Sequence, residues 1–256
     1  WGTGRMAEVE EILAAAERIL AAKNDGPLAG RHVIVTAGPT YEPIDPVRFI
    51  GNRSSGKQGY ALATAAMRLG AQVTLIAGPT ALPDPAAISV IHVETAQEML
   101  SAVEAALPAD IAIFSAAVSD WRVDAVHREK IKKGVSAPSL RLVENPDILK
   151  TISKHKDRRP ELVIGFAAET EHVIEHAAKK LESKGCDWIV ANDVSPEGGV
   201  FGGNRNAVHL ITRAGVESWP EMTKEEVAER LLDAAVEWLA REKKTADRQT
   251  QGTAAS

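Results

Sequence analysis

A single cysteine, Cys186, stands among 256 residues. A lone thiol cannot close an internal disulfide and supplies neither a CxxC pair nor a zinc-type spacing, which points to a reducing cytoplasm. Cys186 lies just before the apolar run Trp188-Ile189-Val190 and reads as a packing residue. No apolar run approaches the ~20 residues that span a bilayer, and the first residues lack the apolar core and small-residue cleavage site of a signal peptide. Membrane and secreted classes are therefore not expected. The net charge is −5, without the clustered basic face that general nucleic-acid binding requires. Several catalytic fingerprints are missing as well. There is no Gly-x-Gly-x-x-Gly turn and no Gly-x-Ser-x-Gly elbow, and the seven histidines are scattered without metal-ligand spacing. Gly51 precedes Gly56-Lys57 at the distance of a Walker A loop, but Gln58 occupies the place of the Ser or Thr that would hold Mg²⁺.

What is present is an ordinary globular composition, 45% hydrophobic, with length for one large domain or two small ones. Residues 5–23 carry Ile12, Ala15, Ala16, Ile19 and Leu20 at helical spacing and end at Asn24-Asp25-Gly26-Pro27, so residues 1–27 read as an appended helix and linker. Short β-branched runs then alternate with helical stretches. Strands are expected at 31–37, 71–77, 88–93, 110–114, 161–167, 187–191 and 207–212, and helices at 57–69, 95–106, 146–155, 171–184 and 223–241. The runs Val33-Ile34-Val35, Val73-Thr74-Leu75-Ile76 and Ile111-Ala112-Ile113-Phe114 are apolar throughout, as strands buried on both faces should be. The expected fold is α/β and Rossmann-like: a doubly wound, mostly parallel sheet with helices on both faces. The main domain covers 28–242, and the polar stretch 243–256 reads as a disordered tail.

In such sheets ligands bind beyond the carboxyl ends of the strands, and 38–57, 115–133 and 192–206 all follow strands. The first is the most informative. It runs from Gly38 through Arg48 to Asn52-Arg53-Ser54-Ser55-Gly56-Lys57, feeding a strand into a helix through glycine, hydroxyl and basic residues. Backbone N–H groups and the helix dipole stabilise an anion there, while an N-capped turn is the plain alternative. Loops beyond ~12–15 residues inside a compact domain are usually functional or disordered. In the second segment, the small residues Ser115-Ala116-Ala117 admit a ligand close to the backbone, and Asp120 can accept hydrogen bonds from ribose hydroxyls or cap a turn. Glu129-Lys130-Ile131-Lys132-Lys133-Gly134 is a solvated charged loop or a mobile lid over phosphates. Asn145-Pro146-Asp147-Ile148 starts a helix that Asn145 or Asp147 can cap, and Phe166, at a strand end, is a core residue or a ligand contact. Lys180 and Lys184 share one helix face, suited to solvent or to a polyphosphate. Asn192-Asp193 closes a strand beside the glycine-rich loop 198–204.

Taken in order, Thr36-Ala37-Gly38-Pro39-Thr40, Asp45-Pro46-Val47-Arg48 with Gly51-Asn52-Arg53-Ser54-Ser55-Gly56-Lys57-Gln58-Gly59, Ala116-Ala117-Val118-Ser119-Asp120, Glu129-Lys130-Ile131-Lys132-Lys133, Asn145-Pro146-Asp147-Ile148, Gly165-Phe166-Ala167-Ala168-Glu169-Thr170 and Ala191-Asn192-Asp193-Val194-Ser195 resemble the phosphopantothenoylcysteine synthetase family over roughly residues 28–242. The resemblance implies a CTP-dependent ligase of coenzyme A biosynthesis that joins 4′-phosphopantothenate to L-cysteine through an acyl-cytidylate, with Mg²⁺ assistance. It implies catalytic roles for Asn52, at the acyl-nucleotide, and Lys130, on a closing flap. Gly38, Ser54, Ser55 and Gly56 would hold phosphate, and Asp120 the ribose. Pro146, Asp147, Ile148 and Phe166 would frame the base, Lys180 and Lys184 would meet the nucleotide, and Arg48, Ala117 and Asn192 would join Asn52 at the substrate. No metal ligand is implied. The family is dimeric, and a strand or loop near 205–220 is a candidate pairing surface. Bacterial members are fused to a flavin-dependent decarboxylase, of whose last motif Gly2-Thr3-Gly4-Arg5-Met6-Ala7-Glu8 resembles a shortened form, so 1–27 is expected to be its remnant.

Two other functions share the expected fold. A NAD(P)-dependent reductase would show a Gly-x-Gly-x-x-Gly turn and an acidic residue ending the second strand, but strand 71–77 ends in Ala77-Gly78-Pro79. A non-catalytic nucleotide-binding domain would have no need of Asn52 and Lys130, and a turnover assay separates it from an enzyme.

Overall fold

The computed structural model describes residues 26–133, 139–169, 171–193 and 205–254. The expected helix 5–23, the decarboxylase-like motif at 2–8 and the glycine loop 198–204 lie outside them. Among the described residues, β1 (His32–Ala37), β4 (Gln72–Ala77), β5 (Ser89–His92), β6 (Ile111–Phe114), β9 (Leu162–Glu169), β10 (Trp188–Asp193), β12 (Val208–Thr212) and β13 (Gly215–Ser218) form one sheet in the order β13-β12-β10-β9-β6-β1-β4-β5. The stretch from β10 to β5 is parallel, and β12 and β13 add an antiparallel edge. Mixed edges of this kind are common on doubly wound sheets.

Alternating residues of each strand enter two separate cores. Val33, Val35, Ile111, Ile113, Leu162 and Ile164 face α1 (Lys57–Arg68) and α5 (Lys224–Ala254), whose Tyr60, Leu62, Val227 and Leu231 are buried against them. Ile34, Ala112 and Val163 face α2 (Ala96–Ala106), α3 (Ile148–Ser153) and α4 (Val173–Lys184) on the other side, with Met99, Ile152 and Leu181. Cys186 is in this second core, where burial pushes its thiol up to about 11 and makes it an inert packing group.

Three features depart from the sequence reading. The segment after β1 is not a structureless loop: β2 (Tyr41–Pro43) and β3 (Phe49–Gly51) pair as a hairpin with Tyr41 stacked on Phe49, ring centroids 3.9 Å apart. Buried Glu42 anchors this hairpin by accepting the Ala96 N–H at 3.0 Å at the start of α2. A second hairpin, β7 (Trp121–Val123) with β8 (Leu142–Glu144), follows β6. The expected disordered tail from Lys243 is corrected: α5 continues to Ala254. The Lys, Ala, Arg and Gln residues in that stretch lose little freedom in a helix, so polarity there does not mean disorder.

Candidate active site

At the carboxyl ends of β1, β6, β9 and β10 lies a cleft of about 1060 Å³, lined by residues 51–59, 114–121, 144–149 and 166–168 together with Lys180, Lys184, Ile189, Asn192 and Lys224. It sits where the chain leaves β1 for α1 on one face of the sheet and leaves β6 for α3 on the other, the switch point at which ligands bind in such folds. Thirteen of the residues proposed from sequence come together here: Asn52, Ser54, Ser55, Gly56, Ala117, Asp120, Pro146, Asp147, Ile148, Phe166, Lys180, Lys184 and Asn192. Gly38, Arg48 and Lys130 do not line it.

One wall is the start of α1. Its N-cap is Gly56, at φ +74°, which has no side chain to cap the helix, and the first turn contains no acid. The nearest local help is Ser54, whose Oγ accepts the Gly56 N–H at 3.3 Å. A Cβ at Gly56 would lie 2.7 Å from the Thr80 methyl, and one at Gly38, where φ is +78°, would lie 2.8 Å from the same methyl. Only glycine fits both positions. Gly38 therefore packs behind the loop, outside the cleft lining, and its carbonyl accepts the Ala117 N–H at 2.8 Å. Asn52 bridges the cleft mouth by donating from Nδ2 to the Val118 carbonyl at 2.9 Å. A primary amide has two N–H donors and a carbonyl, so a donor and an acceptor remain.

The opposite wall is the start of α3 with the facing side of α4. Asp147 caps α3 by accepting the Lys150 N–H at 3.0 Å, and its other oxygen takes Lys184 Nζ at 2.5 Å. Lys180 pairs with Glu169 at 2.7 Å. Both α4 lysines thus reach the cleft already neutralised. Ile148 belongs to the core on this face, whereas Phe166 packs with the α1 and α5 side, so the residues expected to frame a base come from both faces of β9. Asp120 is exposed on the cleft, and its carbonyl accepts the Asn145 N–H at 2.8 Å.

Arg48 and Lys130 form a separate unit. Buried Asp45 accepts the Arg48 guanidinium, with Nε at 3.0 Å, and the Ile131 N–H at 3.1 Å, while Arg48 Nη2 donates to the Ile131 carbonyl at 3.0 Å. The Arg48 guanidinium, joined by the backbone N–H groups of Val47, Ile131 and Arg48, holds the Asp45 carboxyl well below the usual carboxylate range. His127 N–H also bonds the Ile44 carbonyl at 2.9 Å. The charged loop is consequently docked at Ile131 beside the first hairpin, with Lys130 exposed.

Three further cleft residues had no site role in the sequence reading, and of these only Lys224 lay outside every motif. Gln58 donates from Nε2 to the Lys224 carbonyl at 3.1 Å, while its Oε1 and Ser119 Oγ are buried with no partner among the described residues. Lys224, the first residue of α5, is 8% exposed. A signal for it did exist: a lysine in the first turn of a helix stands against the macrodipole, which prefers acids there. Burial, followed by repulsion from Lys57, lowers its pKa below the ordinary lysine value, and Glu225 acts in the other direction. Altogether Arg53, Lys57, Lys180, Lys184 and Lys224 oppose Asp120, Glu144 and Asp147 around the cleft, an excess of cations in a chain whose net charge is −5. Such a cleft favours an anion.

The chain is 46% identical over 237 residues to the coenzyme A biosynthesis bifunctional protein CoaBC of Haemophilus influenzae, covering 92% of this chain and 58% of that protein. It is 46% identical over 253 residues to the protein of the same name from Mycobacterium tuberculosis, covering 93% of this chain and 60% of that one. The chain therefore spans about three-fifths of the length of these relatives. The crystal structure of the C-terminal domain of CoaBC matches with a TM-score of 0.72 at 42% identity, covering 85% of this chain and 100% of that one. With residues 28–239 matching the family model as well, the chain belongs to the DNA/pantothenate metabolism flavoprotein C-terminal domain family.

Proposed function

We propose that this chain is a phosphopantothenate–cysteine ligase that activates 4′-phosphopantothenate with CTP and couples the acyl-cytidylate to the amine of L-cysteine. The observation that carries the reading is the union, in one cation-rich cleft, of an uncapped glycine helix start with the Asn52 amide bridging to Val118. A carboxylate does not condense with an amine at neutral pH, so its oxygen must first displace pyrophosphate from a nucleotide α-phosphate. The cysteine amine then adds to the acyl carbon, the nucleoside monophosphate leaves, and the amine proton passes to solvent. Both steps develop negative charge on phosphoryl or carbonyl oxygens, and fixed donors aimed at those oxygens are typically the largest catalytic contribution.

In this scheme Ser54, Ser55 and Gly56 bind phosphate and the remaining Asn52 donor meets the acyl oxygen. Asp120 accepts from ribose, and Pro146, Asp147, Ile148 and Phe166 frame the base. Lys180 and Lys184 exchange their carboxylates for phosphate oxygens, and Ala117 and Asn192 border the acyl substrate. Gly38 supports the phosphate loop from behind. Arg48 acts through the Asp45–Ile131 dock as the anchor of a flap that brings Lys130 over the cleft. No three His, Cys, Asp or Glu side chains cluster among the described residues, so no protein cage for a metal is present there. Mg²⁺ would then accompany the triphosphate, which it typically binds with few protein ligands.

The buried lone cysteine is compatible with a cytoplasmic enzyme, and no described helix is long and apolar enough to cross a membrane. The full protein is proposed to carry a flavin-dependent decarboxylase domain, in keeping with relatives of which this chain spans only part. A homodimer is also proposed. Exposed Val47, Phe49, Trp121 and Leu142 on the two adjacent hairpins support a pairing surface there more strongly than the exposed edge at 205–220, where Val216 stands out. The reductase reading gains nothing from the fold, because β4 ends without an acid for the ribose.

The test is turnover with phosphopantothenate, cysteine, Mg²⁺ and either CTP or ATP, following pyrophosphate release and amide product. CTP is expected to give the faster initial rate. Equal or faster product formation with ATP overturns the base assignment, and no amide product with either nucleotide overturns the ligase.

A further inference from the structure

Lys224 is a buried charge at an unfavourable helix position. It heads α5, far in sequence from every motif of the cleft, yet Gln58 binds its carbonyl at 3.1 Å and so ties the start of α5 to the start of α1. It is 8% exposed and lines the cleft. Other lysines there have internal partners, Lys180 with Glu169 and Lys184 with Asp147. Lys224 has no hydrogen-bonding or ion-pairing side chain among the described residues, although Glu225 lies near enough to favour its charge.

A buried ammonium with no hydrogen-bonded or ion-paired carboxylate among the described residues is costly, and this one carries two further penalties. Lys57 repels it, and its position in the first turn of α5 opposes the helix dipole. The dipole of α5 is otherwise satisfied: Thr223 Oγ1 accepts the Glu226 N–H at 3.1 Å and Glu226 Oε2 accepts the Thr223 N–H at 2.6 Å, a reciprocal capping box. Capping therefore leaves the lysine itself uncompensated. The start of α1, by contrast, has neither a side-chain cap nor an acid in its first turn. A doubly charged anion between Lys224 and that helix start would relieve the desolvation, the lysine–lysine repulsion and the open dipole together.

We infer that Lys224 is a phosphate-binding residue of this cleft, contacting phosphoryl oxygens between its ammonium and the N-terminus of α1. The inference deepens the proposed ligase reading by adding a contact on a remote helix. Two phosphoryl groups have the required chemistry, the outer phosphates of the nucleotide and the phosphate monoester of the acyl substrate.

The experiment is calorimetric titration of wild type, Lys224→Met and Lys224→Arg with inorganic pyrophosphate, CTP, CMP and 4′-phosphopantothenate. A charge-assisted hydrogen bond of ~1.5–3 kcal/mol corresponds to roughly a tenfold to hundredfold change in affinity. Loss of that size in Lys224→Met for pyrophosphate and CTP, with CMP unchanged and substantial recovery in Lys224→Arg, assigns the contact to the outer phosphates. Loss confined to 4′-phosphopantothenate assigns it to the monoester. Affinities within twofold of wild type for all four ligands overturn the inference, as does a uniform loss, CMP included, that arginine does not recover. Should Lys224→Met not fold, Lys224→Gln is read by the same criteria. Pyrophosphate binding requires no turnover, so an inactive wild type that still binds pyrophosphate through Lys224 would overturn the ligase reading and leave this contact standing.

Discussion

The two walls of the cleft use the same residue type in opposite ways. On the α3 and α4 side, Lys184 and Lys180 rest on Asp147 and Glu169, so the protein supplies its own anions. On the α1 and α5 side, the helix start has no side-chain cap and Lys224 is buried with no ion-paired carboxylate among the described residues. The first arrangement is stable as it stands, and a ligand must displace an internal partner to use it. The second carries an electrostatic cost as it stands, and an anion bound there would return a larger part of the interaction as binding energy. A count of lysines alone would rate the two walls as equal, Lys57 and Lys224 against Lys180 and Lys184. Pairing distinguishes them.

The largest expected effect is at the bridge between the walls. Asn52→Asp replaces a donor by an acceptor at nearly constant shape and sets a carboxylate against the Val118 carbonyl. Turnover should fall by at least the ~10²–10³ typical of a lost oxyanion donor, with the melting temperature little changed. Wild-type turnover in this variant would remove Asn52 from the chemistry.

A smaller effect tests the contrast directly through its sign. Lys184→Met leaves Asp147 without its partner, and for a partly exposed pair the cost should be at most ~1 kcal/mol, seen as a slightly lower melting temperature in the ligand-free protein. Lys224→Met removes an uncompensated buried charge and should leave that temperature unchanged or raise it. If both variants melt lower by the same amount, the walls are not electrostatically different.

The smallest effect concerns the dock beside the cleft. The Asp45 carboxyl has a native pKa well below its unfolded value because Arg48 and three backbone N–H groups hold its charged form. Its contribution is therefore fully present above the unfolded value of ~3.9 and is lost as pH falls through the native one. Hydrogen-exchange protection of the Ile131 amide, corrected for intrinsic rate, should be constant above about pH 5. Asp45→Asn should lower that protection throughout the range above about pH 5. A fall in wild-type protection between pH 7 and 5 would show that another group controls the dock.

Much of the molecule was legible in advance. The apolar runs at β1, β4 and β6 declared buried parallel strands because both of their faces needed cover, and the glycine, serine and lysine of 54–57 marked a helix start open to an anion. Local composition also placed most cleft residues at strand ends, where a doubly wound sheet gathers them. It missed the two hairpins, whose strands are only three residues long and are fixed by contacts such as Tyr41 on Phe49 and Glu42 on Ala96. It took 243–254 for a disordered tail because polarity resembles disorder, although those residues are also good helix formers. Sequence by itself thus determined the strand and helix alternation, the doubly wound class and the glycine-rich, basic character of the segment that opens α1, since each follows from short-range pattern and residue type. The pairing of charges was decided only by tertiary structure. Which lysine finds a carboxylate, which glycine backs a loop and which arginine holds the Ile131 segment depend on elements far apart in the chain meeting at the carboxyl ends of the central strands. Lys224 acquires its place in the cleft because α5 packs beside α1, a contact written in the burial of Val227 and Leu231 rather than in any motif.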